Sequence, residues 1–261
     1  MTRRHQAILF DLNGTVLYQV RSELSHMAHT YATLAPLQWE TNFESFADAW
    51  RSVQARFARQ FAEGLTLLRQ GETQAARLKL REPWYRENIE EILRALELPL
   101  IRRWIEKLTW AYQDSWVAGL RLPPEHSAAL EALQRQGYRL GLVTNFQQAD
   151  IIPDILAQFG LQDAFEIVVI SSAFGVRKPH PAIFQAALDS LGLSNNPQQA
   201  VHVGDHLEED IAGAQLAGIE AILFNPQGKP DQFEPSIPHI LRLKDLDEAL
   251  QAFHEKRRTM L

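Results

Sequence analysis

The chain contains no cysteine. That excludes disulfides, thiolate zinc sites and a cysteine nucleophile, and it fits a reducing compartment. It also lacks any apolar run long enough to span a bilayer. The opening "MTRRHQAILF" is basic and then apolar, but the apolar part is too short for a signal peptide and ends in Asp11, so a cytoplasmic location is expected. An excess of basic residues is missing too: 26 Lys and Arg stand against 32 Asp and Glu, a net charge of -6. Nucleic acid is therefore not expected as a partner, because neutralising phosphates needs a clustered basic surface. The expected partner is a small molecule, with no membrane and with oligomeric state left open. No internal repeat or low-complexity tract is present. What remains is an ordinary globular composition, 46% hydrophobic and 22% charged, over 261 residues. That length suits a main domain with a smaller companion.

From about residue 117 onward, short aliphatic runs alternate with helical patterns, the signature of a parallel sheet with crossover helices. The expected strands are "YRLGLVT", "FEIVVI", "AVHVG" and "EAILFN", with "AILFD" joining from the N-terminus and "HILRL" at the far edge. The expected helices "EHSAALEALQRQG", "QADIIPDILAQFG", "PAIFQAALDSLG" and "LEEDIAGAQLAG" each close in glycine. A tail helix is expected in "DLDEALQAFHEKR". Residues 18–117 have a different character: long helical periodicity, all six tryptophans, and breaks at Pro36, Gly64, Gly71, Pro83 and Pro99. The fold expected is a Rossmann-like α/β core with a parallel sheet, residues 1–17 and 118–261, interrupted by an all-helical domain at 18–117. The tryptophans are expected mainly to pack that helical domain.

Ligands of open parallel sheets bind beyond the carboxyl ends of the strands. Four segments deliver chemistry there. The first strand ends in Asp11, "LGLVTN" ends in Thr144 and Asn145, "VHVGD" ends in Gly204 and Asp205, and "FGVRKPHPAIF" sets Lys178 before a helix. Two carboxylates suit a hard cation such as Mg²⁺, while a hydroxyl and an ammonium suit phosphoryl oxygens. The dipeptide Asn13-Gly14 also predicts a tight turn directly after Asp11.

These segments resemble the motifs of the haloacid dehalogenase-like superfamily of aspartate-nucleophile hydrolases: "FDLNGT", "LVTN", "GVRKPHPAIF" and "VGDHLEEDIAGAQLAG". The resemblance covers about residues 6–17 and 121–228. It implies a phosphatase of small metabolites, with the helical stretch as a substrate-selecting cap. It further implies that Asp11 is the nucleophile, forming an aspartyl-phosphate, and that Asp11, the carbonyl of Asn13 and Asp205 hold Mg²⁺. Thr144, the amide of Asn145 and Lys178 would contact phosphate, with Asp210 behind the metal ligands at the opening of the following helix.

Asn13 stands where these phosphatases usually carry an acid/base Asp. An amide has no titratable proton near neutral pH, although its carbonyl can still bind metal. Three explanations follow: an alteration that stops turnover, a slow or specialised phosphatase, or a protein that only binds a phosphorylated ligand. A 2-haloacid dehalogenase is a further alternative; it fits less well, because Gly204, Asp205 and Asp210 read as a metal and phosphate motif. Elsewhere, His202 and His206 are expected to point apart, and Glu208 and Glu209 to be solvated. His26 and His29 are expected on a helix surface or at the edge of the cap, and Arg51, Arg56 and Arg59 as solvated charges.

Overall fold

Ala7–Phe10 is a run of four apolar residues, each fully buried. A strand with both faces covered belongs inside a parallel sheet. In the computed structural model, which describes residues 5–34, 41–228 and 237–251, this run is β1 (Ala7–Phe10) and lies between two parallel neighbours. The chain forms two compact units, one of Met1–Leu17 with Leu122–Leu261, the other of Tyr18–Arg121.

The smaller unit opens with β2 (Tyr18–Gln19) and runs through α1 (Glu23–Ala32), α2 (Phe43–Arg69), α3 (Thr73–Lys79), α4 (Tyr85–Ala95) and α5 (Arg102–Ala118). It closes with β3 (Leu120–Arg121), antiparallel to β2. Ser22 and Asn42 cap α1 and α2 by accepting N–H bonds from Ser25 and Ser45, which fixes where both helices begin. Phe46, Trp50, Ile89, Leu93, Ile105 and Leu108 form its core.

Two expectations for this unit are corrected. Gly64 is not a break: α2 runs straight through it, because a Cβ there would stand 2.7 Å from the Leu80 side chain and only glycine admits that approach. Nor do the tryptophans all pack inside. Trp50 is 3% exposed, but Trp110 on the outer side of α5 is 66% exposed. Pro36 and Trp39 lie outside the described residues.

The larger unit continues with α6 (Pro124–Arg135), β4 (Arg139–Thr144), α7 (Ile152–Gln158), β5 (Ile167–Ile170), α8 (Ser171–Phe174) and α9 (Pro181–Ser190). Then come β6 (Ala200–Gly204), a wide π-type turn over Leu207–Ala212, α10 (Gly213–Leu216), β7 (Glu220–Phe224) and β8 (His239–Ile240). The six strands order as β5-β4-β1-β6-β7-β8, all parallel. This is the Rossmann-like α/β arrangement. The expected strands all form, trimmed at their ends. Gly137, Gly160, Gly192 and Gly218, which close the expected helices, all have positive φ. Residues 246–251 begin the expected tail helix, and its remainder lies outside the described residues.

The order of strands decides where chemistry can happen. After β5 the chain crosses to the other side of β1 to form β6, so the strand order reverses at β1. At such a switch point the loops diverge and leave a crevice at the carboxyl edge. Asp11, Thr144 and Asp205 end the three adjacent strands β1, β4 and β6 at that edge.

Candidate active site

Asp11 is fixed where β1 stops, its N–H donating to the carbonyl of Val203 at 2.9 Å. The chain then turns tightly, as Asn13-Gly14 predicts. Val16 and Leu17 N–H both donate to the Leu12 carbonyl, and Gly14 N–H donates to that of Leu17 at 2.7 Å. Gly14 has φ +98°, and a Cβ on it would stand 2.3 Å from Asp205 Oδ2. Glycine is thus required twice, for the left-handed backbone and for the approach of main chain to carboxylate. The Thr15 hydroxyl donates to Asp205 Oδ1 at 3.4 Å. Asn13 is exposed.

Lys178 is 1% exposed, with Nζ 2.6 Å from Asp11 Oδ1 and 2.5 Å from Asp210 Oδ1. Asp210 is therefore not a helix-opening anion alone: it is a buried partner of the lysine. It also accepts from His202 Nε2 at 2.9 Å and, through Oδ2, from the His206 N–H at 3.0 Å. Burial opposes its charge, yet Lys178 and His202 hold its carboxyl well below the usual range. Burial likewise opposes the Lys178 charge and is outweighed by Asp11 and Asp210, which raise its pKa. Burial lowers the pKa of His202 against the opposing pull of Asp210.

Asp11 and Asp205 carry the opposite imbalance. Burial, with Asp210 and Asp205 adding to it against Lys178, pushes Asp11 well above the carboxylate range. Burial and Asp210 push Asp205 up to about 6. Oxygens of Asp11, Asp205 and Asp210 all lie within 4.8 Å of one another. One ammonium cannot balance three carboxylates, and that deficit of positive charge suits a hard divalent cation.

The Thr144 hydroxyl at the end of β4 is buried with no hydrogen-bond partner. A buried hydroxyl left unsatisfied costs about 1–3 kcal/mol, so it stands ready for a ligand oxygen. Asn145 uses its side chain differently. Oδ1 accepts from the Lys178 N–H at 2.8 Å, and Nδ2 donates to the Lys178 carbonyl at 3.2 Å and to Glu209 Oε2 at 2.7 Å. Only its main chain is left for an incoming anion.

Several side chains depart from expectation. Glu209 is not simply solvated, because it also accepts from Arg177 Nη2 at 2.8 Å. His26 is not on a surface: it is buried, with Nδ1 3.0 Å from Ser115 Oγ. His29 lies near Asp114 at 3.6 Å. Arg51 and Arg56 pair with Asp48 and Glu91 on the exterior. His202 and His206 do diverge, His202 inward to Asp210 and His206 accepting from the Glu209 N–H through Nδ1. Sequence reasoning missed His202, Glu209 and Arg177. His202 left a signal, since a polar residue inside a fully buried strand needs a partner.

Comparison with known proteins gives the family and the fold. The family model for haloacid dehalogenase-like hydrolases matches residues 5–218. A glyceraldehyde 3-phosphate phosphatase of Pyrococcus abyssi is 36% identical over 137 residues, 52% of this chain and 56% of that one. A phosphoserine phosphatase of Thermus thermophilus is 36% identical over 131 residues, 50% and 51% of the two chains. The chain thus spans about half the length of these curated relatives. Among solved structures, a 2-haloacid dehalogenase from Pseudomonas syringae pv. tomato is 25% identical, with 95% of this chain and 99% of that chain covered at a TM-score of 0.65. An HAD phosphatase from Thermococcus onnurineus shares the fold at a TM-score of 0.55 and 23% identity, over 94% and 97% of the two chains. The sheet, the acidic cluster and a family match across most of its length together mean that this chain belongs to the haloacid dehalogenase-like hydrolase family.

Proposed function

We propose that the chain is a Mg²⁺-dependent phosphatase of small phosphorylated metabolites that works through an aspartyl-phosphate and is slowed by Asn13. The observation that carries this reading is Lys178, buried between Asp11 and Asp210 beside Asp205, with the orphaned Thr144 hydroxyl on the neighbouring strand. Asp11 is the nucleophile. Mg²⁺ held by Asp11, the Asn13 carbonyl and Asp205 would offset the phosphoryl charge and favour the ionised form of Asp11. Thr144, the Asn145 main-chain N–H and Lys178 bind the phosphoryl oxygens, and Asp210 holds Lys178. The relatives' names, glyceraldehyde 3-phosphate and phosphoserine phosphatases, support a small substrate. Substrate choice is assigned to Tyr18–Arg121, which takes the part of a cap.

Asn13 neither donates a proton to the leaving oxygen nor activates water. General acid/base help is worth typically about 10²–10⁴ in rate, so the chain should act best on esters with good leaving groups. A second reading, a 2-haloacid dehalogenase, is favoured by Asn13 and by the likeness to the Pseudomonas structure. Against it stands the cluster of three carboxyl groups, Asp11, Asp205 and Asp210, which suits a divalent cation that halide release does not require.

The test is hydrolysis of an activated aryl phosphate with and without Mg²⁺, and halide release from 2-chloropropionate, by the parent chain, Asn13→Asp and Asp11→Asn. We expect Mg²⁺-dependent phosphate release that rises about 10²-fold or more in Asn13→Asp and vanishes in Asp11→Asn. Metal-independent halide release would overturn this in favour of the dehalogenase. Bound Mg²⁺ and phosphate without turnover in any variant would leave a binding protein.

A further inference from the structure

Glu209 is next to Asp210 in sequence, yet its carboxylate faces a different set of partners. Its Oε2 accepts from Asn145, which follows β4, and its Oε1 accepts from Arg177, which precedes Lys178. Its own N–H donates to His206, so the turn after β6 is drawn into the same set of bonds. Two loops distant in sequence therefore meet on the side chain of a third. The Arg177 and Glu209 side chains are only 13% and 19% exposed, unlike the surface ion pairs of α2 and α4. An exposed pair contributes little, whereas shielded, charge-assisted bonds contribute more.

The consequence lies at Lys178. Its ammonium is held by Asp11 and Asp210, but Asp11 is the carboxylate that must be released to react. The main chain of Lys178 needs an anchor that chemistry does not disturb. Asn145 supplies it by bonding both the N–H and the carbonyl of Lys178, and Glu209 fixes the orientation of that Asn145 amide.

We propose that Glu209, together with Arg177, is a positioning residue: it orients Asn145, and through it the Lys178 main chain, and so sets how tightly the site holds a phosphoryl anion. This rests on the reading of Lys178 as a phosphate-binding group.

Glu209→Ala, Glu209→Gln, Arg177→Ala and the double alanine variant, all in the Asn13→Asp background, test it. Inorganic phosphate binding in Mg²⁺ is measured by calorimetry, kcat and KM on an aryl phosphate, and Tm alongside. Glu209→Ala should weaken phosphate binding about tenfold, the size of one lost charge-assisted bond, and raise KM more than it lowers kcat. Glu209→Gln keeps an acceptor for Asn145 and should recover part of the affinity. The double variant should be no weaker than Glu209→Ala alone, because both remove one unit.

Phosphate affinity unchanged in Glu209→Ala, or Glu209→Gln as impaired as Glu209→Ala with the same Tm, overturns the proposal. If Glu209→Ala fails to fold, Glu209→Gln decides: parental affinity for phosphate and a parental KM would overturn it. The phosphatase reading fails separately: an Asn13→Asp chain that binds phosphate without turnover sinks that reading while the affinities still judge Glu209. An Asn13→Asp chain that binds no phosphate overturns both.

Discussion

A buried lysine is tolerated only while its partners are present, and this makes Lys178 the residue whose replacement should cost most. Lys178→Met conserves much of the volume and removes the ammonium, leaving Asp11 and Asp210 facing each other without compensation. Breaking a buried pair by deleting one partner costs about 3–5 kcal/mol, so the urea midpoint should fall sharply at neutral pH and phosphate hydrolysis should cease. A variant as stable as the parent would mean that the carboxylates are already protonated. Gly14→Ala acts on the other side of the site. A Cβ 2.3 Å from Asp205 Oδ2, on a backbone with φ +98°, forces that carboxylate to move. Titration with Mg²⁺ should show affinity reduced about tenfold or more, with folding reduced by about 1–2 kcal/mol. At this scale the sequence is uneven. Asp11, Thr144, Lys178 and Asp205 are legible because each sits where a strand stops or a helix starts. Glu209 is not, because its partner Asn145 is 64 residues away and nothing local marks the pairing.

At the scale of elements, the strands are legible because buried parallel strands are short, aliphatic and bounded by glycine-closed helices. The helical unit is read less well, and Gly64 shows why. Glycine in a helical pattern reads as a break from propensity alone, whereas here its missing side chain lets the Leu80 side chain pack against α2. The same fact gives a prediction with two opposed contributions. Gly64→Ala gains about 1 kcal/mol of helix propensity but places a Cβ 2.7 Å from the Leu80 side chain, which is fully buried and cannot swing away. Overpacking costs about 1–3 kcal/mol, so a net loss of stability is expected by thermal unfolding. Adding Leu80→Ala should remove the clash, so the double variant should be more stable than the sum of the single effects allows. A rise in Tm for Gly64→Ala alone would mean that the two helices can separate at no cost.

At the scale of the whole molecule, acidity and metal dependence meet. The described residues hold groups whose folding linkages run in opposite directions. Asp11 and Asp205 have raised folded pKa values, so the stability they confer is present below about pH 4 and lost as pH rises, for Asp205 through about 6. His26, His126 and His202, lowered chiefly by burial, act the other way: they stay neutral in the fold while the unfolded chain takes up protons, so stability falls as pH drops below about 6.5. The pH profile of the metal-free protein is therefore a compromise and isolates neither group. Mg²⁺ separates them, because it competes only with the protons on the carboxylates. The rise in Tm produced by a fixed concentration of Mg²⁺ should be larger at pH 7.5, above the raised pKa of Asp205, and smaller at pH 5, where protons compete with the ion for that carboxylate. In Asp205→Asn the rise should be small at both values. An equal rise at pH 5 and pH 7.5 in the parent would show that the ion binds somewhere other than this cluster of carboxylates.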